Sequence, residues 1–457
     1  MFTNITFKDE RLPQTALRIC QIVAREGGCA LVVGGTVRDA MLGFEAKDLD
    51  MEVYFLHPQK LERLIKEHFE VDLVGQSFGV LKIKHLDIDI AVPRRESKQG
   101  LGHKGFMVKS DPEMSIEDAA SRRDFTINAM LYDFLTGELI DPYDGMTDLK
   151  NGLLRHTSEK FIEDPLRVLR AMQFAARFEL DVEPETIELC RSIEPEGLPA
   201  ERIFEEWKKL ILKGRRPSLG LAFLKDCGWI RYFPELEALI GCDQEAQWHP
   251  EGDVWTHTLH VMDSFALNRV GDPWEDLVVG LACLCHDLGK PETTKVLDGQ
   301  ITADCHEMAG VAKANTFLQR MTNQKDIYEQ ALPLVQEHMK PGSLYRSNAS
   351  RSAIRRLAIR AGRIDRLIRV SEADYYGRNA NRGVEFAAGK WLSNQAKTLS
   401  VLADKPKPII LGRHLVELGL KPGAHFKSIL DKCYQAQLDE VFTDLESGLQ
   451  YLSTTQC

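Results

Sequence analysis

The chain has 457 residues, 44% hydrophobic and 28% charged, with a formal net charge of −10. That length predicts roughly two to four domains with sizeable cores, and the composition is that of an ordinary soluble protein. The acidic balance excludes a uniformly basic coat for nucleic acid and leaves room for a local basic track.

The first residues, MFTNITFKDERLP, carry charges where a secretory leader needs an apolar core, and no apolar run approaches the length of a membrane span. The ten cysteines include no CxxC pair, the closest being Cys283 and Cys285. Free, mostly buried thiols in a reducing cytoplasm are the expectation, with no membrane attachment.

In chain order, the apolar run Leu31–Val33 ends at Gly34-Gly35 and leads into Thr36-Val37-Arg38-Asp39. This predicts a strand, a tight turn that lets a phosphate approach the backbone, and a helix start. Next, Asp48-Leu49-Asp50-Met51-Glu52-Val53 alternates polar and apolar. On a strand that pattern puts Asp48, Asp50 and Glu52 on one face. Two carboxylates about 4 Å apart repel by roughly 4 kcal/mol at an effective dielectric near 20, a penalty that a divalent cation removes. A phosphate cradle beside paired Asp predicts metal-dependent phosphoryl or nucleotidyl transfer.

Leu86–Val92 alternates again and offers Asp87 and Asp89, with Asp89 the preferred third carboxylate. Residues 93–118, with Arg94, Arg95, Lys98, His103, Lys104, Lys109, Gly100, Gly102 and Gly105, read as a mobile basic loop. In Ser121-Arg122-Arg123-Asp124-Phe125-Thr126-Ile127-Asn128, the Arg pair, Asp124 and Asn128 are expected on adjacent helical turns. In Glu163-Asp164-Pro165-Leu166-Arg167, Asp before Pro marks a helix start, and Arg167, Arg170 and Gln173 recur at three-residue spacing.

Strand signals nearly vanish beyond about residue 155, which predicts an α/β head followed by a long all-helical body. In that body, His257 precedes His286-Asp287-Leu288-Gly289-Lys290, and His306, His338 and Asp374 follow. Histidine with Asp is a donor set for a divalent metal used in phosphate chemistry, while His260 reads as an ordinary helix histidine. Arg351, Arg355, Arg356, Arg360, Arg363, Arg366 and Arg369 fall on one half of a helix. That face suits either RNA phosphates or acidic neighbours.

GGTVRD with DLD, RRDFTINAM, DPYDG at 141–145 and EDPLRVLRAMQFAARF together resemble the bacterial class II tRNA nucleotidyltransferase family, the CCA-adding enzymes and related poly(A) polymerases. The quartet His257, His286, Asp287, Asp374 resembles the HD phosphohydrolase superfamily. These resemblances imply an α+β fold with a polymerase-β-like head over 1–157 and a helical neck over 158–225. An HD domain over 226–378 and a C-terminal helical tail over 379–457 complete it.

They also imply roles. Asp48 and Asp50, with Asp89 as a candidate third, would hold Mg²⁺. Gly34, Gly35 and Arg38 would grip the triphosphate. Arg123, Asp124 and Asn128 would read ribose and phosphates. Asp164 and Arg167, near Arg170, would select the base. A carboxylate accepts from N4 of cytosine or N6 of adenine while a guanidinium donates to the adjacent ring nitrogen, whereas guanine and uracil leave both groups unpaired. His257, His286, Asp287 and Asp374 would hold Mg²⁺ or a transition metal, with His306 and His338 accessory.

The implied activity is template-independent addition of C, C and A to a tRNA 3′ end from CTP and ATP, with a phosphatase or 2′,3′-cyclic phosphodiesterase behind it. A poly(A) polymerase, a CC- or A-adding enzyme, and a nucleotide hydrolase with a nucleotide-binding head stay open, as does homo-oligomerisation.

Overall fold

The computed structural model describes residues 5–74, 80–98, 106–378 and 383–455. The chain divides into two compact units, one of residues 1–206 with 226–229, the other of residues 207–225 with 230–457. The expected neck is therefore shared between the units, while the expected HD domain and tail fall largely in the second.

The first unit is built on a sheet of seven strands: β1 (Cys29–Val33), β2 (Leu49–Tyr54), β3 (Val71–Val74), β4 (Val80–Ile83), β5 (Ile88–Ala91), β8 (Leu131–Tyr132) and β9 (Leu139–Ile140), while β6 (Arg94–Lys98) and β7 (Phe106–Ser110) form a separate ribbon. The spatial order is β3-β4-β5-β2-β1-β8-β9. Within this sheet, among the described residues, β2 and β5 alone pair in parallel, and their register sets Asp50 beside Asp89. The antiparallel β1–β2 register sets Val33 opposite Asp50, so the chain turns at Gly34 next to that carboxylate. Leu31, Val32, Leu49, Met51 and Val53 are buried, as their alternation requires. Helix Arg11–Arg25 packs on β1 through Leu12, Ala16, Ile19 and Val23, spaced at helical period along one face.

Two expectations change here. The basic segment after Pro93 contains an antiparallel ribbon, β6 (Arg94–Lys98) against β7 (Phe106–Ser110), and then a helix over Ile116–Ala120. Gly100, Gly102, His103, Lys104 and Gly105 lie outside the described residues. The stretch from Arg123 to Asn128 is also not two helical turns. Phe125 is extended and only Thr126–Asn128 forms a 3₁₀ turn. The cause is local competition, because Asp124 Oδ1 accepts from both Phe125 N and Asn128 Nδ2, and Thr126 N donates to Arg155 O.

The second unit is helical, apart from a two-stranded ribbon at Lys295–Leu297 and Gln300–Thr302. Trp207 meets Phe233 and Phe317 edge-on, with ring centroids 5.0 and 5.8 Å away. Helix Pro273–Cys285 is buried from Asp276 to Cys285, and Asp272 caps its start by accepting from Trp274 N and Glu275 N. The last helices close a small core of Ile410, Leu415, Cys433, Phe442 and Leu452. Among the described residues, no helix is long and apolar enough to cross a membrane.

Candidate active sites

In the first unit the site grows from the turn between β1 and the helix Gly35–Met41. Gly34 has φ of +74°, which L side chains rarely adopt, and a Cβ there would lie 3.0 Å from Arg123 Nη1 and 4.0 Å from Asp50 Oδ2. The turn, the Asp50 carboxylate and the Arg123 guanidinium thus meet. Among the described residues Arg123 Nε has no hydrogen-bond partner, and its Nη2 makes a long contact of 3.5 Å to Glu52 Oε2. Asp48 precedes β2, where its carbonyl accepts from Thr36 Oγ1, and its side chain is open to solvent.

Asp50 is also open by area, yet enough protein surrounds it that partial desolvation, followed by the charges of Asp48 and Asp89, raises its pKa. Clustered carboxylates of this kind are an all-oxygen set suited to a hard divalent cation. Asp89 shares Lys82 with Asp87, at 3.7 and 3.6 Å.

Arg38 departs from expectation. It is 4% exposed, donates to Asn128 Oδ1 at 2.5 Å and to Asp39, and lies over the rings of Phe174 and Phe178. This guanidinium braces Asn128 from beneath and offers no open face to a triphosphate. Asp124 and Asn128 are buried as well. Asp124 Oδ2 accepts from Arg170 Nε at 2.6 Å, so Arg170 is drawn into the same brace. Burial pushes the Asp124 pKa up, but Arg170 and Asn128 outweigh it and hold it below the ordinary value.

At the start of helix Leu166–Phe178, Asp164 Oδ1 accepts from Leu166 N at 3.1 Å while Oδ2 accepts from Arg202 at 3.0 Å. Arg167 donates to the carbonyls of Lys160 (2.7 Å) and Arg122 (2.5 Å). One Asp164 oxygen serves the helix end, and its other oxygen and the Arg167 guanidinium are held by protein groups.

The second unit gathers the ends and faces of five helices around one cluster. His257 comes from Val254–Leu267, His286 and Asp287 follow Pro273–Cys285, and His306 opens His306–Met321. His338 follows Lys325–Glu337, and Asp374 lies in Ile364–Gly377. All six side chains are buried.

The Nδ1 atoms point outward to acceptors: His257 to Glu251 Oε1 (2.8 Å), His286 to Cys283 O (2.7 Å), His306 to Ala303 O (2.8 Å) and His338 to Val335 O (2.7 Å). Each such bond holds the proton on Nδ1 and leaves the Nε2 lone pair facing inward. The Nε2 of His257 is 3.1 Å from Asp374 Oδ1, and that of His286 is 3.1 Å from Asp287 Oδ2. His306 Nε2 lies 3.3 Å from both Asp287 Oδ1 and His338 Nε2.

His257, His286 and Asp374 form one candidate ligand set, and Asp287, His306 and His338 another. Among the described residues, His286 Nε2 is buried without a hydrogen-bond partner, a polar atom that an ion would satisfy. Burial above all pushes His338 down to about 3, which keeps its imidazole neutral and able to ligate. Burial opposes ionisation of Asp287, yet His286 and Lys290 hold it well below the usual carboxylate range. His260 stands outside these sets.

Sequence reasoning missed the outer ring. Glu251 Oε1 receives both His249 (2.9 Å) and His257 (2.8 Å), Lys290 Nζ reaches Asp287 at 2.7 Å, and Arg378 reaches Asp374 at 3.2 Å. The available signal was His249-Pro250-Glu251 just ahead of the first histidine, and Lys290 and Arg378 three and four residues beyond the carboxylates. Gly289 has a packing reason, since a Cβ there would collide with the His306 carbonyl and Gly310 N.

The arginine face is settled as acidic pairing. Arg351 and Arg355 meet Glu440, Arg356 meets Asp439, and Arg360 meets Glu337. Arg363 and Arg366 meet Glu275, and Arg369 meets Asp276. Of the two readings this face allowed, pairing with acidic neighbours is the one these contacts show.

Residues 30–155 match the family described as "Poly A polymerase head domain", and residues 179–240 match "Probable RNA and SrmB- binding site of polymerase A". Among solved structures, the Bacillus stearothermophilus CCA-adding enzyme in complex with CTP aligns at 22% identity and TM-score 0.67, covering 97% of this chain and 98% of that one. The Thermotoga maritima CCA-adding enzyme complexed with tRNA aligns at 19% identity and TM-score 0.61, covering 98% and 96%. A CCA-adding enzyme with ATP aligns at 21% and 0.64 over the same shares. Residues 30–155 thus match a poly A polymerase head and residues 179–240 a second segment of such polymerases, and the chain as a whole has the fold of the CCA-adding enzymes.

Proposed function

We propose that the protein is a cytoplasmic, template-independent tRNA nucleotidyltransferase that adds C, C and A to an RNA 3′ end from CTP and ATP. The observation that carries this reading is the meeting of Asp50, Arg123 and the Gly34 turn, with Asp89 in register beside Asp50. Asp48 and Asp50, with Asp89 next to them, are the residues that would hold Mg²⁺. Bound there, the metal would lower the pKa of the RNA hydroxyl and neutralise the triphosphate. The hydroxyl gives up its proton to solvent and its oxygen bonds to the α-phosphorus, while the bond from that phosphorus to the α–β bridging oxygen breaks and pyrophosphate leaves with that oxygen. Arg123 stabilises the phosphate charge, and the Gly34 turn lets the chain of phosphates lie against the backbone. Asp164 and Arg167 accept cytosine or adenine by exchanging their contacts to Arg202, Lys160 and Arg122 for contacts to the base.

The test supplies tRNAs ending before CCA, after C or after CC, with each nucleotide offered alone. Three additions that stop support the reading, whereas a long A ladder identifies a poly(A) polymerase. UTP or GTP added at comparable rates removes the base-reading role of Asp164 and Arg167. Asp48→Ala and Asp50→Ala are expected to abolish addition.

A second activity rests on a separate observation, the four inward Nε2 atoms with Asp287 and Asp374. This N/O set fits a divalent transition metal or Mg²⁺, which would activate water against a phosphoester. Glu251 and the backbone acceptors orient the imidazoles, and Lys290 and Arg378 offset the carboxylate charge. Hydrolysis of nucleoside 2′,3′-cyclic phosphates or monophosphates with Ni²⁺, Mn²⁺ or Mg²⁺, lost in His286→Ala and kept in Asp50→Ala, is the expected result. Metal at about a hundred times its Kd should also stabilise the wild type by about 2.7 kcal/mol, and His286→Ala should abolish that thermal shift.

A further inference from the structure

The cluster in the second unit opens into a cavity of about 570 Å³, and two of its lining side chains have no role in holding the cluster. Trp248 is 61% exposed. Its backbone is nonetheless fixed, because the N–H groups of Trp248 and His249 both donate to Glu245 O, at 3.0 and 2.9 Å. Glu245 is itself tied to the ribbon by Ile301 N at 3.0 Å, and the His249 ring meets His257 edge-on at 4.8 Å. An indole on a pinned turn, one residue from the packed His249 and open on its faces, is a stacking platform. Arg346 is the second side chain. Lys290 and Arg378 are occupied by Asp287 and Asp374, whereas Arg346 is exposed with no carboxylate partner among the described residues. The same wall carries Asp243, Glu245 and Asp304, which disfavour a long run of phosphates.

We propose that Trp248 stacks the base and Arg346 contacts the phosphate of a single nucleotide, free or at an RNA end, so that this cavity selects nucleotides over base-free phosphoesters. The proposal rests on the phosphohydrolase reading above and assigns its specificity. Stacking one base changes affinity by roughly tenfold.

The experiment uses the full chain with added Mn²⁺ or Ni²⁺. It compares adenosine 2′,3′-cyclic phosphate and 2′-AMP with glycerol 1,2-cyclic phosphate and glycerol 2-phosphate. Trp248→Ala should raise KM about tenfold for the adenosine substrates with kcat held, leave the glycerol substrates unchanged, and be rescued by Trp248→Phe. Arg346→Ala should raise KM for both classes. A Trp248→Ala enzyme with wild-type KM for adenosine substrates, or one impaired equally on glycerol substrates, overturns the proposal. If the wild type hydrolyses nothing, the phosphohydrolase reading fails on its own. Quenching of indole fluorescence by 2′-AMP, lost in Trp248→Ala, then still supports the subsite, and quenching that survives in Trp248→Ala refutes it.

Discussion

Asp50 and Asp124 show how two aspartates of one domain come to do different work. Asp50 stays open beside like charges, so it suits a cation, whereas Asp124 is saturated by Phe125 N, Asn128 and Arg170. Asp124→Ala is therefore expected to act first on stability. Breaking a buried pair costs about 3–5 kcal/mol, and the partial exposure of Arg170 trims this to about 2 kcal/mol. Urea denaturation of the wild type and variant measures it, and an unchanged midpoint would return Asp124 to a purely substrate-facing role. Gly289→Ala should cost about 1–3 kcal/mol through its clash with the helix backbone at His306 and Gly310. The Asp48–Asp50 and His286–Asp287 pairs were legible because each is a short local pattern. Glu251 and Arg378 were not, since they act on the cluster only through folded contacts.

At the scale of elements, the arginine-rich helices are held by acidic neighbours from other helices. If they tracked RNA, each Arg→Ala change would reduce the salt slope of tRNA binding by about one. Paired as they are, Arg360→Ala and Arg363→Ala are expected to leave that slope unchanged in a filter-binding titration.

Arg356 and Ser352 hold the Asp439 carboxyl down to about 2, linking helix Arg351–Ala361 to the end of helix His425–Leu438. A depressed carboxyl contributes stability that is fully present above its unfolded pKa near 4 and is lost as pH falls through about 2. Hydrogen exchange in helix His425–Leu438 should accelerate between pH 4 and 2 in the wild type. In Asp439→Asn, protection should already be reduced at pH 5 and change less with acid. The basic segment after Pro93 differs from its expected loop for a related reason, because charge along the chain signals a loop while strand pairing of β6 with β7 is made by the backbone.

Across the whole molecule, the nine described cysteines are free, and burial pushes Cys20 up to about 12 and raises Cys190, Cys283 and Cys285 further. Cys305 is the exposed one among them. Iodoacetamide under native conditions should label Cys305 first and leave Cys283 and Cys285 unmodified, as read by peptide mass spectrometry.

The sequence by itself determined the α/β head and helical body, the strands at Leu31–Val33, Leu49–Val53 and Ile88–Ile90, and the residues that offer metal-binding chemistry. Those signals are local: period-two alternation, glycine at a turn, carboxylates two residues apart. Tertiary structure alone decided the partners. It buried Arg38 under Asn128, drew Arg170 to Asp124, neutralised the arginine face, and turned four distant imidazoles inward. Charge and hydrogen-bond partners depend on what folding brings within about 3 Å, and spacing along the chain carries no information about that distance.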